Sequence, residues 1–294
     1  MKLSEKREQW AKGRREAKLV GKPLVYPAPV AQDYERRLKA LVERMGRDYE
    51  RELRGLYKRL DATPTQDGAA TFAMMDESLA SQARIIMNAL GRKWAAVFNK
   101  ASRDIVGGFI DRLDKFAKKD AERSLEQLSG GLTIEVPQWP GGLQDRIKAS
   151  VTENVKLITN IPAQYAMRIE SAVLTSIQSG QEGSAHLFRE ISKIEGMSIR
   201  RAHLIATDQT RKVTSAMNVE RMKSAGVRRW RWLHSGGGAE PRPLHKDVLN
   251  GQEFSYDDEP PVIDERTGER GYPGQLINCR CVQVPVIDFS EGAD

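Results

Sequence analysis

The sequence predicts a mainly α-helical chain with a small α+β domain at its C-terminus. Three observations carry that expectation. Apolar residues recur at intervals of three and four across most of residues 33–225, the spacing of helices that each bury one stripe. From Arg228 the interval becomes two, with Trp230 and Trp232 on one side and Arg229, Arg231 and Leu233 on the other, as in a strand. Finally, 39% hydrophobic against 30% charged residues in a chain of 294 is lean for one thick core. An elongated helical part joined to a smaller packed domain is expected. The bounds read as a basic arm and Pro-rich linker over 1–30, an elongated helical region over 31–142, and helices followed by a short antiparallel sheet over 143–294.

Taken in order, residues 1–20 are rich in Lys, Arg, Glu and Ala with one Trp at position 10, a helix-favouring segment without a core of its own that needs a partner to order. Pro23, Pro27 and Pro29 read as an extended linker. Leu38, Leu41, Val42, Met45, Tyr49, Leu53, Leu56 and Leu60 form a narrow stripe, predicting a helix from about Asp33 to Leu60 in a hairpin or coiled-coil contact. A second helical run covers 69–128, with Gly91 and Gly107-Gly108 as candidate breaks. Residues 132–136 alternate like a strand, and Trp139 among prolines and glycines marks a turn. Leu143 to Ile158 reads as one helix, and Asn160-Ile161-Pro162 as the start of another that ends near Gln178. Two more follow, from Gly183 to Gly196 and from Ser198 to Ala225, with Gly226 as terminator. Strands are expected at 228–234, 252–254 and 281–287.

Composition narrows the function classes. Residues 1–60 hold 17 Lys/Arg and 9 Asp/Glu, so 17 − 9 = 8 of surplus positive charge, and this exceeds the whole chain's +7. A basic N-terminal arm suits a polyanion such as DNA, or an acidic protein surface, while a solvated charged helix is the plainer reading. No apolar run approaches the ~20 residues of a membrane helix, and residues 1–7 lack the apolar stretch of a signal peptide. A soluble chain with reduced thiols is expected, and no membrane partner.

The residues with chemistry cluster near the C-terminus. His234, His245, Cys279 and Cys281 are the donor types of a tetrahedral zinc site. A Cys-x-Cys pair in a strand aims both sulfurs at one ion only with a distorted backbone, however, so the favoured reading is structural: buried thiols, with His245 hydrogen-bonded to backbone around Asn278. No cofactor is expected on that reading, and zinc is the alternative. Ser235 stands beside His234 but lacks a Gly-x-Ser-x-Gly elbow, and Gly236-Gly237-Gly238 lacks the Lys-Ser/Thr of a phosphate loop. Asp208 sits among Thr207, Thr210 and Arg211 on one helical turn and reads as a polar cluster rather than a catalytic acid. The stretch Asp257–Glu265 reads as a solvated acidic loop.

Seven short motifs then occur in one order. They are Asn154-Val155-Lys156-Leu157-Ile158 leading to Ile161-Pro162; Arg201 through Thr210, with Asp208; Ala225-Gly226-Val227; Trp230-Arg231-Trp232; Pro241-Arg242-Pro243-Leu244-His245; Asn250-Gly251; and Pro273 through Cys281, with Asn278 and Cys279, before Val284-Pro285-Val286. In these residues the region 145–287 resembles the phage Mu F-like minor head protein, or head morphogenesis, family of tailed bacteriophages. Asp208 departs from the family, which more often carries Glu there. The resemblance implies a non-enzymatic minor capsid component of the virion head, assembled in the host cytoplasm. Its implied partners are the portal protein and major capsid or scaffold proteins, with double-stranded DNA contacted through residues 1–60. The competing reading is a metal-dependent nuclease or toxin-like enzyme that uses the C-terminal His/Cys cluster.

Overall fold

The computed structural model describes residues 18–61, 70–128, 136, 143–179, 183–237 and 240–288. Residues 1–17, with Trp10, lie outside the described residues, as do 132–135 of the expected strand and the turn at Trp139. The architecture is mainly α with a small antiparallel sheet, as expected. Strand β1 (Lys18–Val20) precedes helices α1 (Ala28–Asp61), α2 (Ala70–Leu128), α3 (Leu143–Ser179) and α4 (Gly183–Ser224). Strand β2 (Arg229–Leu233), a π-helical turn (Leu244–Val248), β3 (Glu253–Ser255), β4 (Val262–Asp264), β5 (Glu269–Arg270) and β6 (Val282–Asp288) follow.

The chain folds into two compact units that are not successive in sequence. One combines the described parts of residues 1–32, 108–151 and 207–294; the other combines 33–107 and 152–206. The position 142/143 falls inside the first.

The second unit is helical. The α1 stripe from Leu38 to Leu56 is buried at every one of the predicted positions in that range, because its spacing keeps these side chains on one face. In the same unit Leu90, Trp94 and Phe98 of α2, Tyr165, Ile169 and Val173 of α3, and Leu187 and Ile191 of α4 are also buried. Tyr49 packs edge-on against Tyr165 with ring centroids 5.2 Å apart, and the Tyr34 hydroxyl donates to Asn154 Oδ1 at 2.8 Å.

Four helix boundaries differ from expectation. α1 begins at Ala28, not Asp33, because the Pro27 carbonyl accepts from the N–H groups of Val30 and Ala31. Pro29 then falls in the first turn, where its missing N–H costs nothing. α2 runs unbroken through Gly91 and Gly107-Gly108. α3 continues through Pro162, with Ile158 and Ile161 buried on either side of the expected gap. α4 continues through Gly196, and Ser198 donates back to the Ile194 carbonyl at 3.1 Å instead of capping. In the last three cases burial of a continuous apolar stripe outweighs a local break signal worth about 1–3 kcal/mol. Gly226 does end α4. With φ +79°, it lets Val227 N–H reach Met222 O and its own N–H reach Lys223 O, the paired bonds of a Schellman cap.

Gly107 is exposed, and a Cβ added there would meet no atom within 4 Å. Gly107→Ala should therefore stabilise the helix by up to about 1 kcal/mol. Urea unfolding followed by helical circular dichroism measures this, and an unchanged or lowered midpoint contradicts it.

The sheet belongs to the first unit and has the order β1-β6-β2-β3, all neighbours antiparallel. Register places Trp230 opposite Phe254 and Pro285, and Trp232 opposite Gln283. Its first strand corrects the reading of residues 1–20 as helix-favouring. Lys18–Val20 pair with Val286–Asp288 of their own chain, a contact between sequence ends that local propensity does not report. The segment after β1 is also tied down. Gly21 and Leu24 N–H groups donate to Pro285 and Gln283 carbonyls, and Ser124 Oγ donates to Lys22 O at 2.6 Å. The acidic stretch is corrected as well: β4 and β5 form a hairpin there, Ile263 is buried, and Gly268 (φ +71°) makes the turn.

Glu253 on β3 is held by hydrogen bonds from Lys18 and Arg231. Burial alone would raise its pKa, but these two cations outweigh it and keep the carboxyl below the usual glutamate range. A depressed folded-state value contributes stability above the unfolded pKa of about 4.3 and loses it as pH falls through the folded value. Wild type should therefore melt higher than Glu253→Gln at neutral pH, and the gap should close in acid. Thermal melts at several pH values test this, and a gap that widens in acid would refute it.

Candidate functional site

The residues with distinctive chemistry collect in the first unit around β2 and the loop that leads into β6. Trp230 and Trp232 are both fully buried, since alternate residues of β2 face the same side. Trp230 contacts Phe254, Tyr272, Tyr256 and Trp232 with centroids 4.8 to 6.1 Å apart. Trp232 meets the His245 ring edge-on at 4.9 Å.

His245 lies on the π-helical turn and is buried. Arg242 positions that turn: its carbonyl accepts from the N–H groups of His245 and Lys246, and its guanidinium donates to Ile277 O at 3.0 Å. Asn250-Gly251 closes the connection to β2. Asn250 Oδ1 accepts from His234 N–H at 2.9 Å, and Gly251, at φ +83°, donates to Trp232 O at 2.8 Å.

His245 Nε2 is 2.9 Å from the Ile263 carbonyl oxygen. A carbonyl only accepts, so Nε2 carries the proton and Nδ1 presents a lone pair. That lone pair faces two sulfurs, Cys279 Sγ at 3.5 Å and Cys281 Sγ at 3.8 Å. The expected hydrogen bond from His245 to backbone near Asn278 is therefore replaced by one to Ile263. The closing strand also begins one residue after Cys281, at Val282, so neither cysteine is in it. Asn278 (φ 59°) and Gly274 (φ +88°) bend the approach, and the two thiols converge because the backbone there is not extended. Gly274 N–H points to Cys279 Sγ at 3.4 Å.

The pair is electrostatically asymmetric. The hydrogen bond from Cys281 draws the Cys279 thiol well down, against burial and helped by the Gly274 N–H. The same hydrogen bond, with burial, pushes Cys281 up.

Of the four potential metal donors read from the sequence, the structure gathers three. His245, Cys279 and Cys281 are all buried, with donor atoms within 4.8 Å of one another. His234 stays outside the cluster, its Nδ1 accepting from Gly236 N–H at 3.1 Å. Asp208 is buried on α4 and paired with Lys212 at 3.1 Å. The Ser235 hydroxyl donates to Gly237 O at 3.3 Å within its own glycine turn, and Gly238 lies outside the described residues.

Sequence reasoning missed three groups here. The Ile263 carbonyl and the Gly274 N–H are backbone atoms, so residue type gave no signal, although Pro273-Gly274 marks a turn. The third is an ion pair between Arg221 of α4 and Asp114 of α2, both buried. Neither stood out among the many charged residues of those helices.

Residues 167–284 match the family model described as "Phage Mu protein F like protein". The C-terminal part of this chain is similar to the phage Mu F-like proteins. The match includes Asp208, both tryptophans, His245 and both cysteines, and it begins after the Asn154–Ile158 motif. The family is one of phage head morphogenesis and is generally structural. An "Uncharacterized protein" of Haemophilus influenzae (strain ATCC 51907 / DSM 11121 / KW20 / Rd) is 27% identical over 213 residues, covering 72% of this chain and 45% of that protein. The chain thus spans less than half the length of this relative. No solved structure matches. Among the described residues no helix is long and apolar enough to cross a membrane.

Proposed function

We propose that the chain is a minor head component of a tailed phage that docks on the portal or inner capsid during assembly and works by binding rather than catalysis. The observation that carries this reading is the family match over residues 167–284. The chemistry of the cluster agrees with it. The thiols and the imidazole are enclosed by Trp232 and neighbouring core residues, where a substrate-sized group has little room, and a rigid buried core suits a docking module. Mass spectrometry of purified procapsids and virions of a phage encoding this chain should detect it. Absence from both would overturn the proposal.

Contact with packaged DNA is a second part of the proposal, and the charge of α1 supports it. Arg44, Arg47 and Arg51, with Lys93 of α2, line one concavity in the helical unit, with Asp48 as its acid. Cations gathered in a concave surface favour a polyanion. Binding to duplex DNA should fall steeply with salt, because neutralised phosphates release counterions. Arg44→Glu/Arg47→Glu together with deletion of residues 1–17 should remove most of it. Equal affinity in that variant would rule out this part and leave the assembly role standing.

A further inference from the structure

We propose that His245 Nδ1, Cys279 Sγ and Cys281 Sγ form a zinc site in the first unit, with the fourth coordination position left to water. The proposal is independent of the assembly role.

Four features of the geometry point this way. The first is donor chemistry: two thiols and one imidazole are what Zn²⁺ prefers, and here they face one another in a buried setting. The second is distance. Zn–N of about 2.05 Å and Zn–S of about 2.3 Å at tetrahedral angles put the N···S edge at about 3.6 Å. The observed edges are 3.5 and 3.8 Å. A thiol hydrogen-bonded to the imidazole also satisfies the shorter contact, but Nδ1 has a single lone pair and cannot serve two thiols equally well.

The third feature is the outer shell. Ligating histidines commonly donate their other ring N–H to a carbonyl, which fixes the tautomer and aims the lone pair at the metal. Ile263 O does this for His245 at 2.9 Å. The Gly274 N–H near Cys279 Sγ is placed to stabilise a thiolate in the same way. The fourth is backbone shape. A Cys-x-Cys pair in an extended strand is a poor chelate, and here left-handed Asn278 and Gly274 break the extension immediately before it.

Binding exchanges two thiol protons for the ion: both cysteines become thiolates, the protons leave to solvent, and the imidazole stays neutral. Three protein donors leave one position of a tetrahedron. A cavity of about 40 Å³ lies on the Cys281 side of the cluster, lined by Cys281 and Gly274 but by neither His245 nor Cys279. His234 is engaged with its own turn and is not the fourth ligand.

The test uses the full chain without an affinity tag, purified in the absence of chelators. Elemental analysis should find about one zinc per chain. X-ray absorption at the zinc edge should give two sulfurs at about 2.3 Å and lighter donors at about 2.0–2.1 Å. Cobalt exchange should produce thiolate charge-transfer absorption. His245→Ala and Cys279→Ser should each lower zinc affinity by more than the 10–100-fold typical of an outer-shell loss, whereas His234→Ala should retain the metal. Should those variants fail to fold, wild type decides. A cooperatively folded wild-type chain that takes up less than about a tenth of an equivalent of added zinc, with neither thiol protected from a thiol reagent by the ion, overturns the proposal. Loss of zinc in His234→Ala overturns the three-donor assignment.

Discussion

Asp114→Ala should cost the first unit about 3–5 kcal/mol, the usual result of breaking a buried ion pair from one side. Asp114 and Arg221 hydrogen-bond directly, and Arg221 is fully buried. Burial lowers the Arg221 pKa, and the Asp114 carboxylate, followed by Glu122, opposes that fall. Arg221 Nε and Nη1 have no hydrogen-bond partner among the described residues, so without Asp114 the guanidinium retains only weaker support. Urea unfolding should show a midpoint shift with an unchanged slope. The sharper result is the double variant. Asp114→Leu/Arg221→Met removes both charges and should recover most of the loss, because two desolvation penalties vanish with the attraction. A double variant as unstable as the single would mean that Arg221 matters for packing alone.

Trp230→Ala should cost a similar amount, about 3–5 kcal/mol. The indole is fully buried among Phe254, Tyr256, Tyr272 and Trp232. These rings sit on β2, β3 and two loops, and they cannot collapse together into the space it leaves. Trp230→Phe keeps an aromatic face and should lose less than half as much. The same unfolding measurement reads both, and a cost near zero for the alanine variant would mean that the sheet repacks freely. Neither substitution touches His245, Cys279 or Cys281, so zinc content at low temperature should survive Trp230→Phe.

Much of the fold could be read from the chain. The α1 stripe, the Gly226 terminator, the alternation of β2 and the enclosure of both tryptophans all follow from spacing, because a periodic pattern has one geometric solution. The helix breaks did not follow. Gly91, Gly107, Pro162 and Ser198 are each reasonable stop signals, and each is overridden by buried stripes that continue on both sides of it. Nor did β1, whose partner lies at the opposite end of the chain, or the hairpin at Val262–Arg270, whose charged flanks concealed buried Ile263.

For the site, the sequence by itself determined the donor inventory: two cysteines, the candidate histidines, and a family order of motifs around them. What only the tertiary structure decided is which of those donors meet. A π-helical turn carries His245 under Trp232, and the Ile263 carbonyl chooses its tautomer. Left-handed residues at 274 and 278 keep the Cys-x-Cys segment out of the strand that the sequence predicts for it. The reason is physical: side-chain type follows from the sequence, but convergence of donors depends on contacts between segments 18 to 36 residues apart, one of them to a backbone carbonyl, which local residue spacing does not report.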